Sequence, residues 1–473
     1  MKLDKAALRS YFSAHREEIL SDLFSLARIP SVRAQASEGA PFGEECRRAL
    51  CAARALFERE GIKTKEGRDG SYALALYGDG ETADALGIFV HTDVVPVGDG
   101  WIYTEPFEPI LVNGCAVGRG VEDNKAGVVL ALWTLKYLKE QGVAPARPVA
   151  VFLGAAEESG MEDIRAFLSE YPAPAISLVP DSGYPVCYGE KGIARSVLTA
   201  KTPFKDILHI EGGEAFNVVL DRVTLTLAAD GERTVALRAL ISDEPRITLA
   251  EKDGIAVLTA QGVAAHASTP DGSLNAAYLL FSRLAALKDL AETDREVLFA
   301  AAEMLSKTDG SPFSLDAPEK DFSPLTAANG IVGMKDGCLF LTLDIRYGTA
   351  ITARVLEERL AMGAERRGFL LRMTENKPGF LNPRDGREMK AILDASEDFS
   401  GARPEPFTMG GGTYARCLRN AYSVGTTVSY VADPFSAPDG HGGAHQADEH
   451  LPVDAFLEQL ALFTDIVYRL LSL

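Results

Sequence analysis

Short apolar runs alternate with longer helical patterns through residues 22 to about 180. This alternation predicts an α/β fold, with a mixed, largely parallel sheet and helices on both faces. The three most informative runs are ALGIFV, which ends at His91, PVAVFLGA, which ends just before Glu157, and AISLV, which ends just before Pro180. A glycine-rich stretch, GRGVEDNKAG, leads into a predicted helix that starts at Lys125 and ends at about Gln141.

The pattern changes after the segment CYGEKGIARSV. From there to about Lys377 it predicts period-two strands, such as CLFLTLDIRYG, and amphipathic helices, such as LNAAYLLFSRLAALKDL. The segment TENKPGFLNPRDG, which is rich in proline and glycine, marks the end of this second region. The segment GREMKAILDASEDF after it resumes helical spacing. Because a chain of 473 residues exceeds the length at which one core keeps growing, we predict two domains. The first occupies 1–185 and 377–473, and a large α+β lid domain is inserted at 186–376.

Polar side chains follow the apolar runs of the first domain or stand at the entry of its predicted helix. Because the carboxyl ends of parallel strands meet at one edge of a sheet, we expect these side chains to share one crevice. The set consists of His91, Asp93, Asp123, Glu157, Glu158 and Asp181.

Each of these residues alone has an ordinary structural explanation, such as a buried histidine or a solvated acidic pair. Together, five carboxylates in one crevice would repel each other strongly unless cations neutralise them. Lys125 is the only base nearby in the sequence, so a divalent metal is favoured over a basic patch. Mixed imidazole and carboxylate ligands suit zinc or a similar ion. The C-terminal stretch SAPDGHGGAHQADEHLP offers three further histidines.

The composition limits the classes of binding partner and the cellular compartment that we expect for the protein. The chain has 48 Lys and Arg against 67 Asp and Glu, a net charge of −19, which argues against nucleic acid and an anionic membrane surface as partners. Its six cysteines form no CxxC motif, as expected for reduced thiols in the cytoplasm. The N-terminus predicts an amphipathic helix rather than a signal peptide, and no apolar run reaches the roughly 20 residues of a membrane span. We therefore expect a soluble cytoplasmic protein.

A series of motifs then matches a known family in order, from about residue 10 to residue 470. VHTDVVPVGDGW, GRGVEDNKAG, GAAEESG, VPDSGYP, VAAHASTP and GAHQADE resemble the dinuclear metallo-exopeptidases related to carnosinase, aminoacylase and glutamate carboxypeptidase. GEKG, GGEAFNVV, DIRY and GGGTYAR are similar to motifs of the PepV-like bacterial dipeptidases. The resemblance implies a catalytic domain interrupted by a lid.

The resemblance implies two divalent metal ions per chain, zinc or alternatively manganese or cobalt. One ion would be bound by His91, Asp123 and Asp181, and the other by Asp123, Glu158 and His445. Asp123 would bridge the two ions. The HxxDE spacing selects His445 as the ligand, although His441 and His450 flank it.

The resemblance also implies the catalytic groups of this domain. Asp93 would orient the ring of His91. Glu157 would act as the general base, which deprotonates a metal-bridging water and later protonates the leaving amine. The peptide bond between Asp123 and Asn124 is expected to be cis, as it is in relatives.

The remaining implied residues consist of one further catalytic residue and four that would bind the substrate. His266 would be a lid histidine that stabilises the oxyanion, with Asn217 beside it as a substrate contact. Arg346 would bind the free carboxylate of the substrate through its guanidinium fork. The glycine run that ends at Gly412, together with Thr413, would present backbone donors to the same end of the substrate. In structural terms alone, Arg346 could instead be a strand-face charge and the GGGT run only a turn.

The implied function is a dinuclear metallo-dipeptidase that hydrolyses dipeptides with a free C-terminal carboxylate. A deacylase of N-acyl or N-succinyl amino acids is the nearest alternative, and a catalytically silent peptide-binding protein is a third hypothesis. The long insert and the GEKG and GGGTYAR motifs favour dipeptides. Because the insert is large, we expect it to supply His266, Asn217 and Arg346 to its own chain and leave a monomer. A dimer with a lid shared between chains is the alternative.

Overall fold

The computed structural model describes residues 2–473. Its α-helices, in chain order, are α1 (Lys5–Ala14), α2 (Arg16–Ala27), α3 (Glu44–Arg59), α4 (Lys125–Glu140), α5 (Glu162–Glu170), α6 (Gly231–Leu240), α7 (Ala276–Leu284), α8 (Glu292–Leu305), α9 (Ala353–Arg366), α10 (Arg387–Ser400) and α11 (Val453–Leu471). Short 3-10 helices occur at Thr82–Asp84, Ser311–Phe313 and Tyr414–Cys417. None of the helices described for residues 2–473 combines the length and apolar character needed to span a bilayer.

The strands complete the element order. In chain order they are β1 (Lys63–Glu66), β2 (Tyr72–Tyr77), β3 (Leu86–His91), β4 (Ile110–Val112), β5 (Cys115–Val117), β6 (Val149–Gly154), β7 (Ile176–Ser182), β8 (Cys187–Glu190), β9 (Gly192–Ala200), β10 (Ile207–Gly212), β11 (Arg222–Ala228), β12 (Ile247–Lys252), β13 (Ile255–Gln261), β14 (Thr326–Ala328), β15 (Val332–Lys335), β16 (Cys338–Tyr347), β17 (Phe369–Lys377), β18 (Phe380–Leu381), β19 (Phe407–Met409), β20 (Ala421–Gly425) and β21 (His450–Pro452).

The chain divides into two compact units. The first consists of Met1–Gly189, Asn382–Phe407 and Gly412–Leu473, and the second of Glu190–Leu381 and Thr408–Gly411. The sequence pattern alone did not separate the short segment 408–411 from the rest of the C-terminal part.

The first unit is built on a mixed sheet. Its order runs β1, β2, β6, β3, β7, β20, with β8 next to β20. β3 pairs in parallel with both β6 and β7, and β7 pairs in parallel with β20, whereas β1 and β2 are antiparallel additions at the edge. The predicted mixed, largely parallel α/β arrangement is therefore confirmed. A separate antiparallel sheet contains β21, β5 and β4.

Burial explains why the strands at the centre of this sheet read as continuous apolar runs. Every residue of β3 and of β6 is buried, as expected for strands covered on both faces. α4 packs against β3 and is buried along nearly its whole length, including Lys125 at its first position. The Nζ of Lys125 donates a hydrogen bond to the carbonyl oxygen of Ile29 at 2.8 Å, which satisfies part of the buried ammonium.

The second unit is an antiparallel α+β structure. Its sheet runs β12, β13, β11, β10, β15, β16, β9, β17, with β14 beside β16. The alternating burial of β9 and β11 matches their period-two sequence patterns, because only one face of this sheet is covered. α7 packs on β11 and β13, and α9 packs on β17.

Three predicted elements differ in extent from those observed. The N-terminal helix is split into α1 and α2 at His15, whose Nδ1 lies 2.8 Å from the Tyr11 carbonyl oxygen. α7 ends at Leu284 although apolar spacing continues, because the chain goes on as tight turns that keep Leu287 and Leu290 buried. β7 continues through Pro180 to Ser182.

Candidate metal centre

His91 is the last residue of β3, at the carboxyl end of the parallel part of the sheet. Its Nδ1 lies 3.0 Å from the carbonyl oxygen of Asp93, so this nitrogen carries a proton and donates it. The other ring nitrogen, Nε2, lies 3.1 Å from Oδ1 of Asp123 and 3.8 Å from Oδ1 of Asp181. The backbone therefore orients the ring so that Nε2 faces two carboxylates.

The carboxylate of Asp93 also makes contacts that the sequence did not predict. Its Oδ1 is 3.5 Å from Nδ1 of His91, but its two oxygens accept the backbone N–H groups of Glu157 and Glu158, each at 3.1 Å. The backbone carbonyl and the carboxylate of Asp93 both lie beside Nδ1 of His91, and the carboxylate also holds the turn after β6. One residue thus connects the ends of two neighbouring strands.

Asp123 stands at the centre of the polar cluster. Its Oδ1 faces Nε2 of His91, and its Oδ2 lies 3.1 Å from Nε2 of His445. Nε2 of His445 is also 3.0 Å from Oε1 of Glu158. The two oxygens of Asp123 therefore point to two different groups of ligands, as a bridging carboxylate requires.

The backbone around Asp123 is held by neighbouring residues. The peptide bond between Asp123 and Asn124 is cis, which confirms the prediction from the resemblance. The side chain of Asn124 donates to the Pro180 carbonyl oxygen at 2.5 Å and to Oδ1 of Asp181 at 3.2 Å. Its Oδ1 accepts the backbone N–H of His91 at 3.4 Å. Asn124 thereby ties the ends of β3 and β7 together beside the centre.

The charges in the cluster shift the affinities of its members for protons. Burial, reinforced by Asp181, raises the pKa of Glu157 well above its usual range. Burial and the neighbouring Asp123 raise the pKa of Glu158 to about 7. For His91, burial lowers the pKa, but contacts with Asp123 and Asp181 outweigh it and leave the pKa well above the usual value. The centre therefore has a strong demand for positive charge, which a proton or a metal cation can meet.

The donors fit divalent metal ions. Within residues 2–473, the buried atoms His91 Nε2, Asp123 Oδ1 and Glu157 Oε1 have no hydrogen-bond partner. Ligand atoms of His91, Asp123 and Glu158 lie within 4.8 Å of one another, and so do those of His91, Glu157 and Asp181. Imidazole nitrogens and carboxylate oxygens in this combination are zinc-type ligands.

The structure separates the three C-terminal histidines. His445 reaches Asp123 and Glu158, and its backbone is in the left-handed region, with φ of 66°. His441 instead pairs with Oδ2 of Asp448 at 2.6 Å, and His450 pairs with Oδ2 of Asp433 at 2.8 Å.

Three of the predicted substrate-binding residues lie in the second unit. The Nδ1 of His266 accepts the backbone N–H of Ser268 at 3.2 Å, so the neutral ring carries its proton on Nε2. Asn217 is adjacent, because its carbonyl oxygen accepts the N–H of Ala267 at 2.8 Å. Arg346 is only 4% exposed.

The guanidinium of Arg346 is already partly engaged. Its Nε and Nη2 donate to the carboxylate of Asp344 at 2.6 and 3.3 Å, and its Nη1 donates to the carbonyl oxygen of Gly410 at 3.1 Å. The second hydrogens of Nη1 and Nη2 remain for another acceptor.

Gly412 and Thr413 lie in the first unit. A side-chain carbon on Gly412 would come within 2.4 Å of the guanidinium of Arg416, so the Arg416 side chain would have to move to admit one. The hydroxyl of Thr413 caps the following 3-10 helix by accepting the N–H of Ala415 at 3.1 Å. Thr413 therefore has a local structural use.

Two buried carboxylates near the centre were not assigned from the sequence. Glu449 accepts the backbone N–H groups of Gly120, Glu122 and Asp123 at 2.9 to 3.1 Å and pairs with Arg119 at 2.7 Å. The only sequence sign of this role was its place in the GAHQADE motif.

The second unassigned carboxylate, Asp163, holds the backbone just before Glu157. It accepts the N–H groups of Ala155 and Ala156 at 2.7 and 2.9 Å and the hydroxyl of Tyr414. Burial raises the pKa of Asp163 to about 6. Nothing in its local sequence indicates this position, since Asp163 lies in the first turn of an ordinary amphipathic helix, α5.

Comparisons with known proteins place this arrangement in a family. A Bacillus subtilis (strain 168) protein with a provisional dipeptidase name, YtjP, is 27% identical over 472 residues, covering 96% of this chain and 97% of that protein. Human carnosine dipeptidase 1 has a similar fold, with a TM-score of 0.61 at 14% identity over 100% of both chains. Bacillus subtilis YXEP, described as a dinuclear metal binding peptidase, has a TM-score of 0.52 at 12% identity, covering 97% of this chain and 99% of that chain.

The sequence pattern of one peptidase family extends over most of the chain. It matches residues 87–469, which contain the whole polar cluster described above. The relationship predicted from the ordered motifs is therefore confirmed, and the chain belongs to Peptidase family M20/M25/M40.

Proposed function

We propose that this member of a peptidase family is a metal-dependent dipeptidase that hydrolyses dipeptides with a free C-terminal carboxylate. One observation carries the proposal: Asp123 faces His91 with one oxygen and His445 with the other. Next to this bridge, Glu157 is buried with its Oε1 unpartnered within residues 2–473. This combination provides a ligand set and a separate base in one cluster.

The proposed ligands are His91, Asp123 and Asp181 for one ion and Asp123, Glu158 and His445 for the other. The donor set favours zinc, with manganese or cobalt as alternatives, and the description of YXEP as a dinuclear metal binding peptidase supports two ions. When bound, such ions would supply Lewis-acid activation of the water and of the peptide carbonyl.

Glu157 is the proposed general base. Its raised pKa, caused by burial and by Asp181, suits a carboxylate that must accept a proton and release it again. Glu157 takes the proton from the attacking water and then delivers it to the nitrogen of the leaving amine. Asp93 holds the backbone of Glu157 in position for both transfers.

The second unit is proposed to bind the substrate. His266 presents an N–H at Nε2, which is the donor that an oxyanion requires. Arg346 keeps hydrogens on Nη1 and Nη2 for the substrate carboxylate, and Asp344 holds its guanidinium in place. Gly412, Thr413 and Asn217 stay predicted substrate contacts. A monomeric state and a cytoplasmic location also stay predictions.

A direct substrate comparison tests the proposal. The protein is reconstituted with zinc, manganese or cobalt, and the hydrolysis of Ala-Ala is measured beside that of N-acetyl-alanine under the same metal condition. We expect kcat/KM for Ala-Ala to exceed that for N-acetyl-alanine. The reverse order would assign a deacylase, and no turnover of either compound with any metal would favour a peptide-binding protein.

A further inference from the structure

A second cluster of potential metal ligands lies in the first unit, outside the centre described above. It consists of Cys115, Asp433 and His450, whose ligand atoms all lie within 4.8 Å of one another. The Sγ of Cys115 is 3.6 Å from Oδ1 of Asp433, and the Nε2 of His450 is 2.8 Å from Oδ2 of Asp433. A thiol, an imidazole and a carboxylate thus converge on one point.

Each of the three side chains is fixed by its surroundings. Cys115 begins β5 and is fully buried, and it pairs with Pro452 of the neighbouring strand β21. Oδ1 of Asp433 accepts the backbone N–H of Phe435 at 2.9 Å. The ring of Phe435 lies 4.4 Å from that of His450. Packing and hydrogen bonds therefore hold the three side chains in place.

The hydrogen bonding of His450 indicates a cation in the cluster. Nδ1 of His450 is 2.7 Å from the carbonyl oxygen of Gly442, so Nδ1 must carry a proton. Gly442 permits this approach, because a side-chain carbon there would lie 3.1 Å from Nδ1 of His450. In the neutral ring, Nε2 then presents a lone pair to a carboxylate oxygen at 2.8 Å, which is repulsive. A second proton on the ring or a metal ion must occupy this contact.

The thiol favours the metal ion over the second ring proton. In an ion pair of imidazolium and carboxylate, the Cys115 thiol would only donate a weak hydrogen bond to Asp433. With a metal ion, the buried sulfur completes a Cys, His and Asp set of the kind that binds zinc. An N–H of a histidine directed at a backbone carbonyl is also the usual support of a metal-binding imidazole. Asp433 is 46% exposed at its side chain, which leaves room for a water as the fourth ligand.

We propose that Cys115, Asp433 and His450 bind a divalent metal ion of the zinc type, separate from the proposed catalytic pair. On binding, the thiol of Cys115 releases its proton to solvent as the metal–sulfur bond forms. The ligands enclose functional segments: Cys115 precedes the loop that leads to Asp123, and Asp433 and His450 stand on either side of His445. The ion would therefore brace the two loops that present Asp123 and His445.

Cobalt substitution provides a test that the catalytic centre does not disturb. The protein is stripped of metal and reconstituted with Co²⁺, and the thiolate-to-cobalt charge-transfer band in the near-ultraviolet is recorded. None of the proposed catalytic ligands contains sulfur, so the catalytic centre does not contribute to the band, and the cysteine variants assign it to one thiol among the six in the chain. We expect the band in the wild type and in Glu158→Ala, which weakens the catalytic centre.

Single-residue variants test whether the band arises from the proposed ligands. Cys115→Ser and His450→Asn should lose the band and bind one metal equivalent less, whereas Cys51→Ser, in α3, should keep both. Absence of the band in the wild type would overturn the proposal and leave an imidazolium–carboxylate ion pair. A band that persists in Cys115→Ser would also overturn it. Hydrolysis of Ala-Ala is measured separately, so failure of the proposed function would not be confused with failure of this site.

Discussion

Two adjacent glutamates at the end of β6 illustrate how single residues divide the chemistry. Glu158 contacts His445 at 3.0 Å and belongs to the proposed ligand set. Glu157 is buried beside it, with Oε1 unpartnered within residues 2–473. The proposal gives these two side chains different roles, and Asp93 holds the turn that presents both of them by accepting their N–H groups.

Replacement of Glu157 tests this division. Glu157→Ala should retain both metal ions and lower kcat by about 10²- to 10⁴-fold or more, because it removes a general base but no ligand. Metal content by elemental analysis and steady-state hydrolysis of Ala-Ala check the result. Asp123→Ala is the matched control and should lose metal. A metal-depleted Glu157 variant, or one with nearly normal turnover, would refute the assignment.

At the level of elements, the loop before α4 depends on a carboxylate from the far end of the chain. Glu449 accepts the backbone N–H groups of Gly120, Glu122 and Asp123 in this loop. It also pairs with the guanidinium of Arg119. Both members of the ion pair are only 1% exposed at their side chains. The loop that carries Asp123 is therefore shaped by a buried, fully hydrogen-bonded charge.

Removing this charge should destabilise the first unit. Glu449→Gln leaves Arg119 buried without a counterion, which we expect to lower the free energy of unfolding by about 3 kcal/mol. Urea denaturation followed by fluorescence measures the change. The control is Glu358→Gln, which breaks an exposed ion pair with Arg354 on α9 and should cost less than about 0.5 kcal/mol. A loss below about 1 kcal/mol for Glu449→Gln would contradict the expected role of the buried charge.

At the scale of the whole molecule, the open question is whether one chain supplies a complete site. The second unit holds His266, Asn217 and Arg346, and the first holds the proposed metal ligands. From the size of the inserted unit we predict a monomer.

Complementation between two inactive variants tests the monomer. His266→Ala and Glu157→Ala are mixed under conditions that allow subunit exchange, and the mass is measured by light scattering. We expect a monomeric mass and no recovered activity, because each chain lacks one essential group. Wild type mixed with the double variant controls for inactivation by the procedure. Activity recovered in a dimeric mixture would show that the lid histidine acts between chains.

The sequence by itself determined the architecture and most of the candidate centre. The apolar runs that end at His91 and before Glu157 were sufficient to predict that these two residues lie close together, because the carboxyl ends of adjacent parallel strands meet at one edge of a sheet. The position of Asp123 at a helix entry followed from its glycine-rich approach. The ordered motifs determined the family, since they extend along nearly the whole chain.

Tertiary structure decided the contacts that join distant parts of the chain. Spacing favoured His445, but only the folded chain shows that it reaches Asp123 while His441 and His450 pair elsewhere. The hydrogen bond from Gly120 to Glu449 crosses 329 positions, and no local pattern encodes it. The Cys115, Asp433 and His450 cluster arises in the same way, because residues without any sequence relationship become neighbours when β5 pairs with β21. Local periodicity specifies elements, whereas buried polar partners are selected only when those elements pack together.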